Sequence, residues 1–252
     1  MRSADELREL VEDALDDLTF AGPAGLEEAV RHALDGGGKR IRPVLTLAVG
    51  EALGREPRDV LPAALAVELV HSFSLVHDDL PALDDDDTRR GRPSTWSQFG
   101  EGIAVLAGDA LLTEAFRLAL SYDSPAVARG LADATLGMIG GQYLDVTGGT
   151  NDLAELNRLK TGRLFEASVL LAVEVCGAAP QAWRPFAEEV GALFQLVDDL
   201  LDGDGYVAAH GVEETRARAD QAADRARDAL AEVDRDTSVL EGLVAGLASR
   251  TA

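Results

Sequence analysis

Two acidic triplets, each at the end of a long apolar segment, constrain this chain more than any other feature. The first lies in Val76-His77-Asp78-Asp79-Leu80-Pro81-Ala82-Leu83-Asp84, followed by Asp85-Asp86-Asp87-Thr88-Arg89-Arg90-Gly91-Arg92-Pro93. The second is Leu193-Phe194-Gln195-Leu196-Val197-Asp198-Asp199-Leu200-Leu201-Asp202. Carboxylates crowded beside apolar surface are costly to ionise without a counter-ion. The run from Val67 to Val76 is apolar and helix-like, which puts Asp78 and Asp79 at a mostly buried helix end. Pro81 then disfavours continuing the helix and lets Asp84 fold back toward them. In the second triplet Asp202 follows Asp198 by one helical turn and Asp199 by slightly less, so the spacing predicts that the three carboxylates share one face. A single acidic run is ordinarily a solvated loop with incidental ion pairs. Two triplets at the ends of apolar segments point instead to facing clamps on a polyanion held through several hard cations such as Mg²⁺.

The rest of the pattern is helical. Residues 3–20 carry Leu7, Leu10, Val11, Ala14, Leu15 and Leu18 on one stripe, with Ser3 as N-cap and Glu6 completing a capping box. A second helix over 24–35 ends at Gly36-Gly37-Gly38, a turn that delivers Lys39 and Arg42 beside exposed backbone N–H groups, suitable for a diphosphate. Buried helices are expected over 43–54 and 59–79, a loop over 94–100, and an apolar helix over 103–120. Pro125 opens a helix running to Asp145, on which Gln142 and Asp145 share a face as a polar pair with either a capping or a site role. Asp152 caps a helix through Lys160-Thr161-Gly162 to Cys176, residues 183–201 carry the second triplet, and 213–247 form two surface helices. No segment alternates like a strand and no repeat or linker is visible, so the expected fold is all-α, with residues 1–252 as a single domain.

An apolar content of 46% with only 5% aromatic residues suits Ala, Leu and Val packing between helices. The formal charge of −22 argues against nucleic acid and anionic membrane surfaces as partners. Cys176 is the only cysteine, which excludes intramolecular disulfides and thiolate metal sites. The opening residues lack the apolar core of a signal peptide, and the stretch from Ala167 to Ala179 is too short and interrupted to span a bilayer. A cytoplasmic protein without a transmembrane segment is therefore expected. Lys39 and Lys160 are the only lysines among 23 basic residues, leaving 23 − 2 = 21 arginines, and both sit in Gly- or Thr-flanked motifs that favour a compact ammonium against phosphate.

Gly37-Gly38-Lys39-Arg40-Ile41-Arg42-Pro43, the stretch from His71 to Pro93, Gly108-Asp109-Ala110-Leu111-Leu112, Gly140-Gly141-Gln142, Lys160-Thr161-Gly162 and Phe194 to Asp202 resemble, in order, the motifs of the trans-isoprenyl diphosphate synthases. The resemblance runs from about residue 26 to 202. It implies a bundle of long helices around a central cavity, usually a homodimer, and a trio of Mg²⁺ ions per active site. The implied reaction is metal-assisted ionisation of an allylic diphosphate, attack by the double bond of isopentenyl diphosphate, and loss of a proton. By the resemblance Asp78, Asp79 and Asp84 with Asp198, Asp199 and Asp202 hold the metal. Arg89 contacts the allylic diphosphate, Lys39, Arg42, His71 and Arg90 form the isopentenyl diphosphate pocket, and Lys160, Thr161 and Gln195 line the carbocation region. The chemistry agrees: a diphosphate leaves only when its charge is neutralised, and a carbocation survives only in a dry apolar pocket.

The family sets product length by bulk below the first motif. Phe73 precedes Asp78 by about one and a half helical turns, beside the small Ser74. With two extra residues between Asp79 and Asp84, this resembles bacterial farnesyl diphosphate synthases; geranylgeranyl diphosphate is the alternative product. The chain departs from the family after Asp202, where Gly203-Asp204-Gly205-Tyr206 leads into the last helices and no lysine follows Lys160. That departure keeps a non-catalytic regulatory subunit open as a second reading. Lys39, Arg42 and Arg90 speak against a terpene cyclase, and a phosphohydrolase built on His77-Asp78 lacks a second ligand pair.

Overall fold

The computed structural model describes residues 1–150 and 152–251. The Ser3 hydroxyl accepts from the Glu6 N–H at 3.2 Å while the Glu6 carboxylate accepts from the Ser3 N–H at 2.7 Å, forming the expected capping box of α1 (Ala4–Asp17). Pro23 precedes α2 (Ala24–Leu34), and the glycine turn leads into α3 (Ile41–Ala52), buried along nearly its whole length. The central element is α4 (Pro57–Asp78), whose buried residues lie all round the helix. Pro62 interrupts it. The Tyr122 hydroxyl repairs the ladder there, accepting from Ala63 N–H at 3.1 Å and donating to the Asp59 carbonyl at 3.0 Å. By length and composition α4 is apolar enough to cross a membrane, which the expectation of no transmembrane segment, argued from Ala167 to Ala179, did not consider. It packs instead against α3 and later helices, with 67% of its apolar window buried, so it is a core helix.

After the first acidic motif the chain makes a small antiparallel hairpin, β1 (Thr88–Arg89) with β2 (Arg92–Pro93), where an all-helical reading expected none. Its tip, Arg90-Gly91, has both residues at positive φ, the backbone of a tight two-residue turn. The expected loop that follows contains a helical turn, α5 (Thr95–Phe99), tied to the motif by Trp96 Nε1 donating to the Asp86 carbonyl at 2.8 Å. Then come α6 (Glu101–Ala119) and α7 (Ala126–Thr147). Asp152 caps α8 (Leu153–Asn157) as expected, accepting from Ala154 N at 3.0 Å. A π turn (Arg158–Gly162) joins α8 to α9 (Arg163–Val175). The chain ends with α10 (Arg184–Asp202), α11 (Gly205–His210), α12 (Val212–Ala231) and α13 (Ser238–Ala248).

Around α4 pack α3, α6 and α9, while α10 lies between α9 and α12. Gly50 admits Val60 between α3 and α4, since a Cβ there would stand 2.7 Å from a Val60 methyl. The last two helices are less superficial than their composition suggests. α12 buries Ala219, Ala222, Ala223, Ala226 and Leu230, and α13 packs on α3 and α10.

Arg40, at φ 45° before α3, pins this assembly. Its guanidinium donates to Glu68 on α4 at 2.7 Å, to Glu12 on α1 at 3.0 Å and to the Leu34 carbonyl of α2 at 2.7 Å. Arg40 and Glu68 are 5% and 3% exposed. Arg40→Ala leaves Glu68 charged and unpaired in the interior, so urea denaturation should show a loss of about 3–5 kcal/mol, whereas the apolar pair Arg40→Met with Glu68→Leu should lose less.

Candidate active site

The end of α4 folds as its sequence dictates. Pro81 halts the helix, and the chain turns back with Asp84 N–H on the Asp78 carbonyl at 2.9 Å and Asp86 N–H on the Asp79 carbonyl at 3.1 Å. The two leading carboxylates then part. Asp79, 3% exposed, accepts from Arg89 Nε at 2.9 Å and from its Nη2. Asp78 faces a cavity of about 550 Å³. Its carboxyl is pushed up to about 6, chiefly by burial and further by Asp84 and Asp79, with Lys160 and Arg89 opposing.

On α10, Asp198 lines the same cavity. Burial raises its pKa first, then Asp202 and Asp199, against the pull of Lys39 and Arg42. Asp199 turns elsewhere, accepting from Gln195 Nε2 at 2.7 Å and from Tyr206 N–H at 2.9 Å. Gly205, at φ 47°, lets the chain close on that carboxylate, since a Cβ there would lie 2.5 Å from Asp199 Oδ2. The expectation that the second triplet shares one face is thus corrected: successive helical residues point about 100° apart, so Asp198 and Asp199 diverge. Gln195 diverges with it. It bonds to Asp199 and borders a separate outer cavity, away from the carbocation region where it was expected.

A basic cavity of about 410 Å³ adjoins the first. It brings together Lys39, Arg42, His71 and Arg90. Arg90 reaches it from the hairpin tip by donating to the Gly37 carbonyl, and its guanidinium packs so closely on Gly38 that a Cβ there would meet it at 2.7 Å. Arg42 lies over the rings of Phe165 and Phe194, at 4.4 and 5.3 Å, with its Nε enclosed and unpartnered. Burial lowers its pKa to about 10. His71 is held well below 6.5 by burial, then by Arg42 and Arg90. Arg42 and His71 line both cavities and so join them.

The π turn places Lys160 and Thr161 on the larger cavity, with Lys160 Nζ paired to Asp145 at 2.5 Å. Gly141 makes this possible, because a Cβ on it would stand 2.4 Å from Lys160 N. Gln142 follows, lining the cavity with both amide atoms enclosed and unpartnered. The sequence reading left it undecided, and the preceding Gly140-Gly141 pair was the available signal. Phe73 and Ser74 line the cavity too, Phe73 being 7% exposed and Ser74 Oγ donating to the His71 carbonyl at 2.9 Å.

Among the described residues no three acidic, histidine or cysteine side chains converge on one point. The donor chemistry nevertheless suits a hard cation. Asp78 and Asp198 face one cavity with raised pKa values, and Asp84 and Asp202 add carboxylates beside them.

Residues 23–213 match the Polyprenyl synthetase family. Over 220 residues the chain is 40% identical to a farnesyl diphosphate synthase of Geobacillus stearothermophilus, covering 79% of this chain and 74% of that protein. It is 42% identical over 217 residues to the large subunit 1 of a chloroplastic heterodimeric geranylgeranyl pyrophosphate synthase of Arabidopsis thaliana, covering 77% of this chain and 58% of that relative. Its fold matches the crystal structure of a geranyltransferase from Legionella pneumophila with a TM-score of 0.89 at 29% identity, over 98% of this chain and 96% of that one. With its paired acidic motifs, its basic cavity and this likeness in sequence and fold, the chain belongs to the polyprenyl synthetase family.

Proposed function

We propose that this chain is a short-chain trans-prenyltransferase that condenses isopentenyl diphosphate with dimethylallyl or geranyl diphosphate to give farnesyl diphosphate. The observation that carries the reading is the junction at Arg42 and His71 of two cavities, one basic, the other apolar with Asp78 and Asp198 on its wall. Such a pair of compartments suits two diphosphate substrates whose hydrocarbon ends meet.

Lys39, Arg42 and Arg90 hold the diphosphate of isopentenyl diphosphate, and neutral His71 serves there as a hydrogen-bonding group. Asp78, Asp84, Asp198 and Asp202 hold Mg²⁺, a trio of ions in this reading; Asp79 and Asp199 join them by giving up an N–H donor each. Bound Mg²⁺ supplies neutralisation of the charge that develops on the leaving diphosphate. Arg89 adds its own positive charge at the same end. The allylic tail lies against the apolar wall formed by Phe73, Met138, Ile139 and Leu164. The allylic C–O bond breaks, the new C–C bond forms, and the departing diphosphate takes the proton. Thr161 and the unpartnered Gln142 oxygen face the cation.

Residues 1–252 act as one unit in this reading, because α1 and α13 both pack on α3. The exposed apolar faces of α6 and α7, with Ile103, Leu106, Leu136 and Tyr143, support a homodimer. A cytoplasmic location suits a chain whose lone Cys176 forms no disulfide. One feature favours a second reading as a non-catalytic subunit: no lysine follows Lys160 to close over the allylic diphosphate.

Incubation with labelled isopentenyl diphosphate, Mg²⁺ and each of dimethylallyl, geranyl and farnesyl diphosphate, followed by chromatography of the dephosphorylated products, should give a dominant C15 alcohol. No product from any primer while diphosphate still binds would move the assignment to the regulatory subunit. Asp78→Asn and Asp198→Asn should each lower turnover by at least about 100-fold with an unchanged helical circular dichroism spectrum. His71 resists protonation in the folded chain but not in the unfolded one, so stability should fall as pH drops through 6.5. NMR of the ligand-free protein should show its ring still neutral at that pH; a titration centred at 6.5 would contradict the enclosed basic environment.

A further inference from the structure

His77 stands between the product-length residue Phe73 and the metal-facing Asp78, and nothing in the transfer reaction uses it. One helical turn after Phe73, its ring meets the Phe73 ring edge to face, with centroids 4.8 Å apart and planes at 71°. Its Nε2 lies 3.1 Å from the Val105 carbonyl on α6. A carbonyl only accepts, so Nε2 carries the hydrogen and the ring is tethered across the α4–α6 contact. Gly108 makes the seat: a Cβ on it would fall 2.2 Å from His77 Nε2, so any larger residue expels the ring. Both rings line the 550 Å³ cavity. Ser74 offers Phe73 no brace of this kind, since it is small and its hydroxyl is spent on the His71 carbonyl.

We propose that His77 is a positioning residue for product length, bracing the Phe73 ring across the floor of the cavity from its seat over Gly108. The inference rests on the reading of Phe73 as that floor. A chain longer than C15 must push the Phe73 ring aside, and the ring has no room to yield while His77 is fixed to α6.

The test is the C20:C15 product ratio of the full chain given labelled isopentenyl diphosphate, geranyl diphosphate and Mg²⁺. A ratio between products is insensitive to the fraction of enzyme folded, so a merely structural role does not move it. His77→Ala should raise the ratio roughly three- to tenfold, the factor expected for a lost aromatic pair contact. Added to Phe73→Ala, the same change should do nothing further, because the residue it braces is gone. Gly108→Ala should raise the ratio as well. Should that variant fail to fold, His77→Ala with Gly108→Ala should fold and reproduce the ratio of His77→Ala alone. The proposal is overturned if His77→Ala leaves the ratio unchanged while Phe73→Ala raises it, or if the two effects add. It also falls if Phe73→Ala changes nothing. A wild-type chain that makes no prenyl product would sink the prenyltransferase reading itself.

Discussion

Uncompensated charge held at the edge of an apolar interior governs this molecule. Asp78 and Asp198 are each raised by burial and by the other acids of their own motif, while Arg42 is lowered by burial with its Nε unpartnered. Opposite charges this close would ordinarily pair. Here the fold holds them on different walls, the acids at the ends of α4 and α10 and the bases on the turn into α3 and the hairpin tip. Such unsatisfied polar groups cost stability in any protein, and they persist where the surrounding structure over-determines them. A ligand carrying diphosphate and divalent cations relieves both sets at once, which is why the arrangement reads as a substrate site and not as a faulty core.

The contrast between Arg40 and Arg42 shows how local backbone sorts structure from chemistry. Arg40 takes a positive φ and turns inward to Glu68, Glu12 and the Leu34 carbonyl, which locks α1, α2, α3 and α4 together. Two residues on, within the first turn of α3, Arg42 lies over two phenylalanine rings and faces both cavities. The rings fix the guanidinium without satisfying its hydrogens, so its charge stays available. In composition the two residues are the same; the change from left-handed to helical backbone separates a structural pin from a cavity-facing group.

Much of this was legible from periodicity and end signals. The capping box at Ser3, the Asp152 cap, the stop at Pro81 and the long apolar helices all follow from rules that act within a turn or two of chain. What escaped needs information from across the fold. The divergence of Asp199 from Asp198 is inherent in the helix, but the Tyr206 N–H that fixes Asp199 in place comes from the next element. The π turn that presents Lys160 depends on Gly141 of α7, and its i→i+5 pattern leaves no local signature. The hairpin hid because it uses a non-glycine residue, Arg90, at positive φ, and because its strands are too short to alternate. Gln142 could be named as a site residue only once both its amide atoms were seen enclosed without partners.

The inner acid of each triplet is bound by the element that follows it. Asp79 holds Arg89 of the hairpin, and Asp199 holds the first turn of α11 through Tyr206 N–H. Asp78 and Asp198 face the larger cavity instead. The hairpin carries Arg89 and Arg90, so positive charge stands behind the first motif. α11 carries no lysine or arginine, and its contribution is confined to the backbone N–H of Tyr206 and the close approach that Gly205 permits. The two motifs are therefore alike in their carboxylates and unequal in what lies behind them: Asp79 is backed by a guanidinium group, Asp199 by the Gln195 amide and a main-chain N–H.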